Sequence, residues 1–204
     1  LIFNSIWSKK RFFLDLNINT STLKDVNVCY QSADKVKINF KKKENIITFI
    51  GKLNRAKGYD IFGDAIIDIL DKYKNWKAIV IGDEEREKII FKHPRLRVIG
   101  FKNNIFILDL LKKTSISVVC SRWQEPFGRA SLEAASRGSA VIISNTGGLP
   151  ETTKSGIILK SLDKNELVTS IEKLITNKKD LLKTQKDNYK NFKFTHNYIS
   201  DLID

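Results

Sequence analysis

Residues 121–133 read SRWQEPFGRASLE and bring two carboxylates, a glycine and an arginine into one short stretch. Pro126 disfavours helical backbone at the residue before it, so Glu125 belongs on a loop. Gly128 and Arg129 open a helix whose unpaired N–H groups and dipole favour an anion, and Glu133 falls within that helix. One carboxylate is then on the loop and one on the helix, with an anion site between them. Carboxylates beside an anion serve as acceptors for hydroxyls, which points to a ligand carrying both phosphates and sugars. Upstream, Gly51-Lys52-Leu53-Asn54-Arg55-Ala56-Lys57-Gly58 follows an apolar run. Cations beside glycines at a strand end suit a diphosphate. The segment lacks the Gly-Lys-Ser/Thr of a P-loop, and no Gly-x-Gly-x-x-Gly follows any strand.

The elements that must position these residues are legible as alternating runs. Residues 46–50, 78–81, 96–99, 116–120, 140–143 and 157–159 are short, mainly apolar and β-branched runs, as strands covered on both faces require. Ile61, Phe62, Ala65, Ile66, Ile69, Leu70 and Tyr73 recur at helical spacing. Segments 84–91, 105–111, 129–137 and 167–175 read as further helical crossovers. The pattern predicts an α/β fold, a doubly wound parallel sheet of Rossmann-like type with right-handed connections. Gly51, Gly82 and Gly100 each end a strand, at the carboxyl edge where open α/β sheets bind ligands. The flanks differ from this repeat. Residues 1–17 read as a short strand and helix, followed by a polar stretch and the apolar 26–30. Residues 177–204 read as helical and Lys-rich, carrying Tyr189, Phe192, Phe194 and Tyr198.

Composition narrows the class. The chain has 204 residues, a formal net charge of +13, 42% hydrophobic and 29% charged residues. This excludes a disordered chain, a fibre and a disulfide scaffold. No apolar run approaches the roughly 18 residues of a membrane-spanning helix, and no signal-peptide pattern opens the chain. Cys29 and Cys120 lie in apolar runs and read as core thiols of a reducing compartment, hence a cytoplasmic protein. The chain contains no Met, so it reads as a piece of a longer protein. The basic excess is mostly Lys. The aromatics keep helical core periodicity instead of interleaving with a basic stripe, which disfavours a nucleic-acid partner. Lys179, Lys183, Lys186 and Lys190 fall on one face of a helix, suited to a solvated surface or to peripheral contact with an anionic membrane. His93 and His196 stand apart from other metal ligands. Trp123 fits a shield over a pocket or a packed anchor. Glu151 is placed to start a helix, as are Asp83, Glu84 and Glu85, while Gly147 and Gly148 are read as site-lining.

Glu125 and Glu133 also stand in the Glu-x7-Glu spacing of retaining glycosyltransferases with the GT-B fold. The stretch EPFGRASLEAASRGSAVIISNTGGLPE, with GKLNRAKG upstream, resembles family 4 glycosyltransferases. The resemblance runs from about Leu1 to the final helix. It implies the C-terminal, donor-binding half of a two-domain enzyme. Residues 1–30 would be the tail of the preceding acceptor domain and the interdomain segment. Residues 31–190 would be the donor-binding domain, and 191–204 a helix crossing back towards the missing N-terminal domain. The implied activity is a retaining hexosyl transfer from a UDP- or GDP-sugar to an acceptor hydroxyl, in polysaccharide or lipopolysaccharide biosynthesis. This chain alone would be inactive.

By the same resemblance Lys52 and Lys57 would hold the donor diphosphate and, with Glu125, form the catalytic set. The amides of Gly128 and Arg129 would cap the diphosphate. Glu133 would accept from the ribose and Glu125 from the donor sugar, with the base near Gly100, Phe101 and Lys102. Gly51 and Phe127 complete the donor-binding set. Lys52 stands where the family commonly has Arg, exchanging a bidentate fork for a point charge. Gln31-Ser32-Ala33 replaces a common Asn-Gly pair. No Asp-x-Asp occurs, so the resemblance is to metal-independent enzymes without cofactors, in which the lysines and the helix N-terminus neutralise the leaving diphosphate. The competing readings are a nucleotide-sugar-binding module without transfer and, in third place, a basic nucleic-acid-binding protein.

Overall fold

In the computed structural model, which describes residues 1–19 and 25–202, the apolar runs form one six-stranded sheet whose pairings are all parallel. Its strands are β3 (Glu44–Ile50), β4 (Lys77–Ile81), β5 (Leu96–Val98), β6 (Thr114–Val119), β7 (Ala140–Ile143) and β8 (Ile157–Ile158). They lie in the order β5-β4-β3-β6-β7-β8. The chain winds outward from β3 to one edge and then returns to β6 and winds to the other. The carboxyl ends of β3 and β6 therefore flank the switch point, where a crevice opens between diverging connections.

Helices α2 (Tyr59–Lys72), α3 (Asn104–Lys113), α4 (Arg129–Ser136), α5 (Lys164–Thr176) and α6 (Lys178–Lys190) cover the two faces. Alternate residues of β7 show why the strands read as continuous apolar runs. Ala140 and Ile142 join the cluster built on α2 and α5. Val141 and Ile143 join the one built on Leu111 of α3 and Leu132 of α4. Successive side chains point to opposite faces, and here both faces are core.

Two expectations need correction. Residues 84–91 are not helical. Of the carboxylates expected to start that helix, Glu84 accepts from Asn54 and Arg86 instead, and Glu87 within the segment accepts the Arg55 N–H. Phe91 then packs edge-on against Tyr59 and over Gly63 of α2, where any Cβ would lie within 1.9 Å of its ring. The C-terminal region is also not one helix. It breaks after α6 and resumes as the short α7 (His196–Ser200).

The N-terminal flank forms β1 (Ile2–Phe3) and α1 (Ile6–Asp15), with β2 (Asn27–Val28) parallel to β1. Part of the polar stretch between α1 and β2, residues 20–24, lies outside the described residues, as do 203–204. Glu151 starts no α-helix; it lies in a 3-10 turn, Leu149–Thr152. Its carboxylate accepts the N–H groups of Ile6 and Trp7 at 2.8 and 2.7 Å, capping α1 from across the fold. The Tyr30 hydroxyl donates to the same carboxylate. Burial, then the Glu151 charge, pushes that phenol up to about 12.

Candidate functional site

The loop leaving β3 is shaped by its own side chains and by the loop leaving β6. The Asn54 amide oxygen accepts the Lys57 N–H at 2.9 Å. Gly58 takes a left-handed φ of 74°, and a Cβ there would lie 1.9 Å from the Cys120 carbonyl oxygen, so only glycine fits. The N–H groups of Arg122 and Trp123 both donate to the Ala56 carbonyl at 2.9 Å. The Arg122 guanidinium grips Asp60 through two bonds of 2.7 and 2.8 Å, holding the Asp60 carboxyl below its usual range against the opposing effect of burial. The two loops are thereby joined over the switch point.

A third loop backs them. Gly148 donates its N–H to the Glu125 carbonyl at 2.7 Å. Gly147 has a φ of 59°, and a Cβ there would meet that same carbonyl oxygen at 2.3 Å. The two glycines do not line the cavity, contrary to expectation. They hold the backbone of Glu125 in place from behind.

The cavity at the switch point has a volume of ≈ 330 Å³, at the lower end of small-molecule sites. Phe49 and Val119, near the ends of β3 and β6, form part of its floor, and Gly128 and Ala130 at the start of α4 form part of a wall. Lys57 Nζ forms an ion pair with Glu125 Oε1, across the two loops. Glu133 is only 6% exposed. Its Oε1 accepts from Arg129 Nε at 2.7 Å and from Asn104 Nδ2 at 2.8 Å. One carboxylate thus lies beside a cation from a neighbouring loop, and the other is fixed between two helices. Between them opens the N-terminus of α4, whose N-cap Gly128 has no side chain to satisfy the first N–H groups. The arrangement can hold an anion at α4 while presenting carboxylate acceptors on both sides of it.

Of the residues singled out from sequence, Gly51, Lys57, Glu125, Gly128, Arg129 and Glu133 line this one cavity. Lys52 does not; its side chain is exposed at the loop surface. Phe101, 74% exposed, and Lys102 also lie outside the lining, next to α3. Phe127 is a correction. Its ring is 1% exposed and packs against Tyr30 and Phe194, so the side chain faces the core. Trp123 is anchored through its backbone while its side chain is left 59% exposed. Cys120 is fully buried, and burial pushes its thiol up to about 12, which keeps it inert at neutral pH. His93 pairs with Asp71, and His196 with Asp34. Among the described residues no three His, Cys, Asp or Glu side chains converge as a metal site would require.

Asn104 is the site residue that sequence reading missed. The available signal was the Asn103-Asn104 pair ahead of an apolar period. Asn103 caps α3 through the Phe106 N–H, which puts Asn104 on the first turn, facing α4.

Comparison with known proteins bears on the family and the fold. Residues 31–192 match the family model described as glycosyl transferases group 1. The spore coat protein SA of Bacillus subtilis is 29% identical over 155 residues, covering 64% of this chain and 41% of that protein. Among solved structures, the Anabaena protein HepE in complex with UDP-glucose superposes with a TM-score of 0.81 at 19% identity, covering 99% of this chain and 61% of that one. The C-terminal domain of a group 1 glycosyl transferase from Francisella tularensis gives a TM-score of 0.63 at 25% identity, covering 74% and 86%. The chain spans about two-fifths of the length of the first curated relatives it matches.

Proposed function

The chain belongs to the group 1 glycosyl transferases, and we propose that it is the donor-binding half of a retaining enzyme of the family 4 type. It binds a nucleoside diphosphate sugar without a metal and, together with an acceptor-binding half, moves the sugar to an acceptor hydroxyl. The observation that carries this reading is one cavity holding Lys57 with Glu125 on one side and Glu133 on the other. The crystallised complex of HepE with UDP-glucose supports a donor of that class.

The chemistry follows from the partners. Departure of a diphosphate builds negative charge, and preorganised cations and amides are the efficient way to meet it. Lys57, now paired with Glu125, exchanges that carboxylate for a phosphate when the donor enters. The N–H groups at the start of α4 face the same anion. Lys52, exposed at the loop surface, adds a second cation. Glu125, released from Lys57, accepts hydroxyls of the donor sugar. Glu133, held by Arg129 and Asn104 through Oε1, keeps Oε2 for the ribose. Calorimetry with UDP, UDP-glucose and GDP, with and without EDTA, tests the reading. Binding that survives EDTA is expected, and strict dependence on a divalent metal would contradict it. Transfer requires donor and acceptor in one cleft, so these residues alone are expected to show no multiple turnover.

A second reading concerns the opposite edge of the molecule. Lys179, Lys183, Lys186 and Lys190 are exposed on α6, and Lys186 shares a groove with Lys37, Lys41, Ile38 and Leu182. None of these lysines has a carboxylate within ion-pair distance among the described residues. Among those residues, too, no helix is long and apolar enough to cross a membrane. The patch suits peripheral contact with an anionic bilayer, at about 1 kcal/mol per Lys near the surface. Sedimentation with phosphatidylcholine vesicles, with and without phosphatidylserine, tests it. Equal sedimentation with both would remove the idea.

A further inference from the structure

Lys43 takes no part in the cavity, yet its ammonium donates to three backbone carbonyls. Its Nζ donates to the carbonyls of Leu111, Thr114 and Arg137 at 2.9, 2.8 and 2.8 Å. Leu111 lies in the last turn of α3, Thr114 begins β6, and Arg137 is the C-cap of α4. One side chain therefore satisfies terminal carbonyls of two helices at once, where a positive charge also meets both helix dipoles favourably.

The same two helices meet again one turn earlier in α4 and at the first turn of α3. Asn104, on the first turn of α3, donates to Glu133 of α4. From Asn104 to Leu111 is seven residues of helix, about 10 Å, and from Glu133 to Arg137 is about one turn. Helix backbones are stiff over such lengths, and Leu111, Leu132 and Ala135 are fully packed between them. A shift of one helix against the other at Lys43 must appear at the Asn104–Glu133 contact. A hydrogen bond of 2.8 Å tolerates little such shift. Burial pushes the Lys43 ammonium down to about 7. The three carbonyls act in the other sense, since only the charged form has three N–H donors for them.

We infer that Lys43 is a positioning residue for the donor cavity: by tying the C-terminal ends of α3 and α4 together it sets the Asn104–Glu133 contact, and so the orientation of the carboxylate that receives the nucleotide. The role of Glu133 rests on the proposed function; the mechanical link does not.

The test is a double-mutant cycle with Lys43→Met and Asn104→Ala, read by calorimetry with UDP and by NMR of the ligand-free protein. Lys43→Met keeps the unbranched stem, one atom shorter, and removes its donors. Each single variant is expected to weaken UDP about three- to tenfold, and the double variant no further than the weaker-binding single by more than about twofold. In the ligand-free protein, the Asn104 side-chain amide resonance, identified by its loss in Asn104→Ala, is expected to move in Lys43→Met. If Lys43→Met does not fold, Lys43→Gln, which keeps two N–H donors, takes its place in both arms. A lowered melting temperature with UDP affinity and the Asn104 resonance both unchanged would overturn the inference, as would losses that simply multiply. Absence of UDP binding in the unsubstituted protein would count against the proposed function, while the resonance shift would still decide the link.

Discussion

Glu125 sits on a loop and meets one cation from a neighbouring loop, whereas Glu133 sits within α4 and meets Arg129 on its own helix and Asn104 on α3. The backbone of Glu125 is fixed by glycines behind it, and on the proposed function its side chain would change partners as a phosphate competes for Lys57. Glu133 is fixed through its side chain, between helices whose far ends are themselves tied. The loop carboxylate is built for exchange and the helix carboxylate for constancy. That contrast fits a sugar that must react and a nucleotide that must only be held.

Breaking the loop side should have the largest effect. Gly58→Ala would force a Cβ into the Cys120 carbonyl at a left-handed φ. A loss of roughly 3–5 kcal/mol is expected, or a backbone shift that carries Lys57 away. Chemical denaturation measures the first and UDP affinity the second; a variant unchanged in both would show the loops to be looser than described. Gly147→Ala should act next most strongly, at about 1–3 kcal/mol, because its Cβ would press on the Glu125 carbonyl. UDP should still bind to that variant through Glu133, while discrimination between UDP-glucose and UDP-galactose is expected to fall, as a pair of titrations would reveal.

Acid should also separate the two sides. Glu84 clamps Asn54 in the Lys57 loop, and its bonds to Arg86 and Asn54 hold its carboxyl down to about 2. A folded-state value below the unfolded one of about 4.3 means that this contribution is complete above pH 4.3 and lost as pH falls through 2. Melting temperatures of the unsubstituted protein and Glu84→Gln should therefore converge between pH 5 and 2. A constant difference across that range would assign the clamp no electrostatic part. Lys52→Arg is the smallest expected change, within about 0.5 kcal/mol of stability, since the side chain is exposed.

How much of this was legible in the sequence depends on how local each cause is. The sheet was readable because burial on both faces makes β7 apolar at every position, and α2 because its period is uninterrupted. Pro126 and Gly128 are local signals, and they placed Glu125 on its loop and Glu133 on its helix correctly. The failures lie where distant residues decide. Segment 84–91 has helix-forming residues, but Asn54, Arg55 and Tyr59 claim its side chains. Phe127 entered the donor-binding set through the family resemblance, but Tyr30 and Phe194 turn its ring into the core. Asn104 reaches Glu133 across 29 positions of chain, and nothing in either segment announces the other.

The division of labour between the two carboxylates is the central claim, and titration of Glu133→Ala and Glu125→Ala with both UDP and UDP-glucose tests it most directly. Glu133→Ala should weaken both ligands alike, by about ten- to a hundredfold, because both carry the ribose. Glu125→Ala should leave UDP nearly unchanged and remove the difference between UDP-glucose and UDP-galactose. Equal losses for both ligands in both variants would contradict the account.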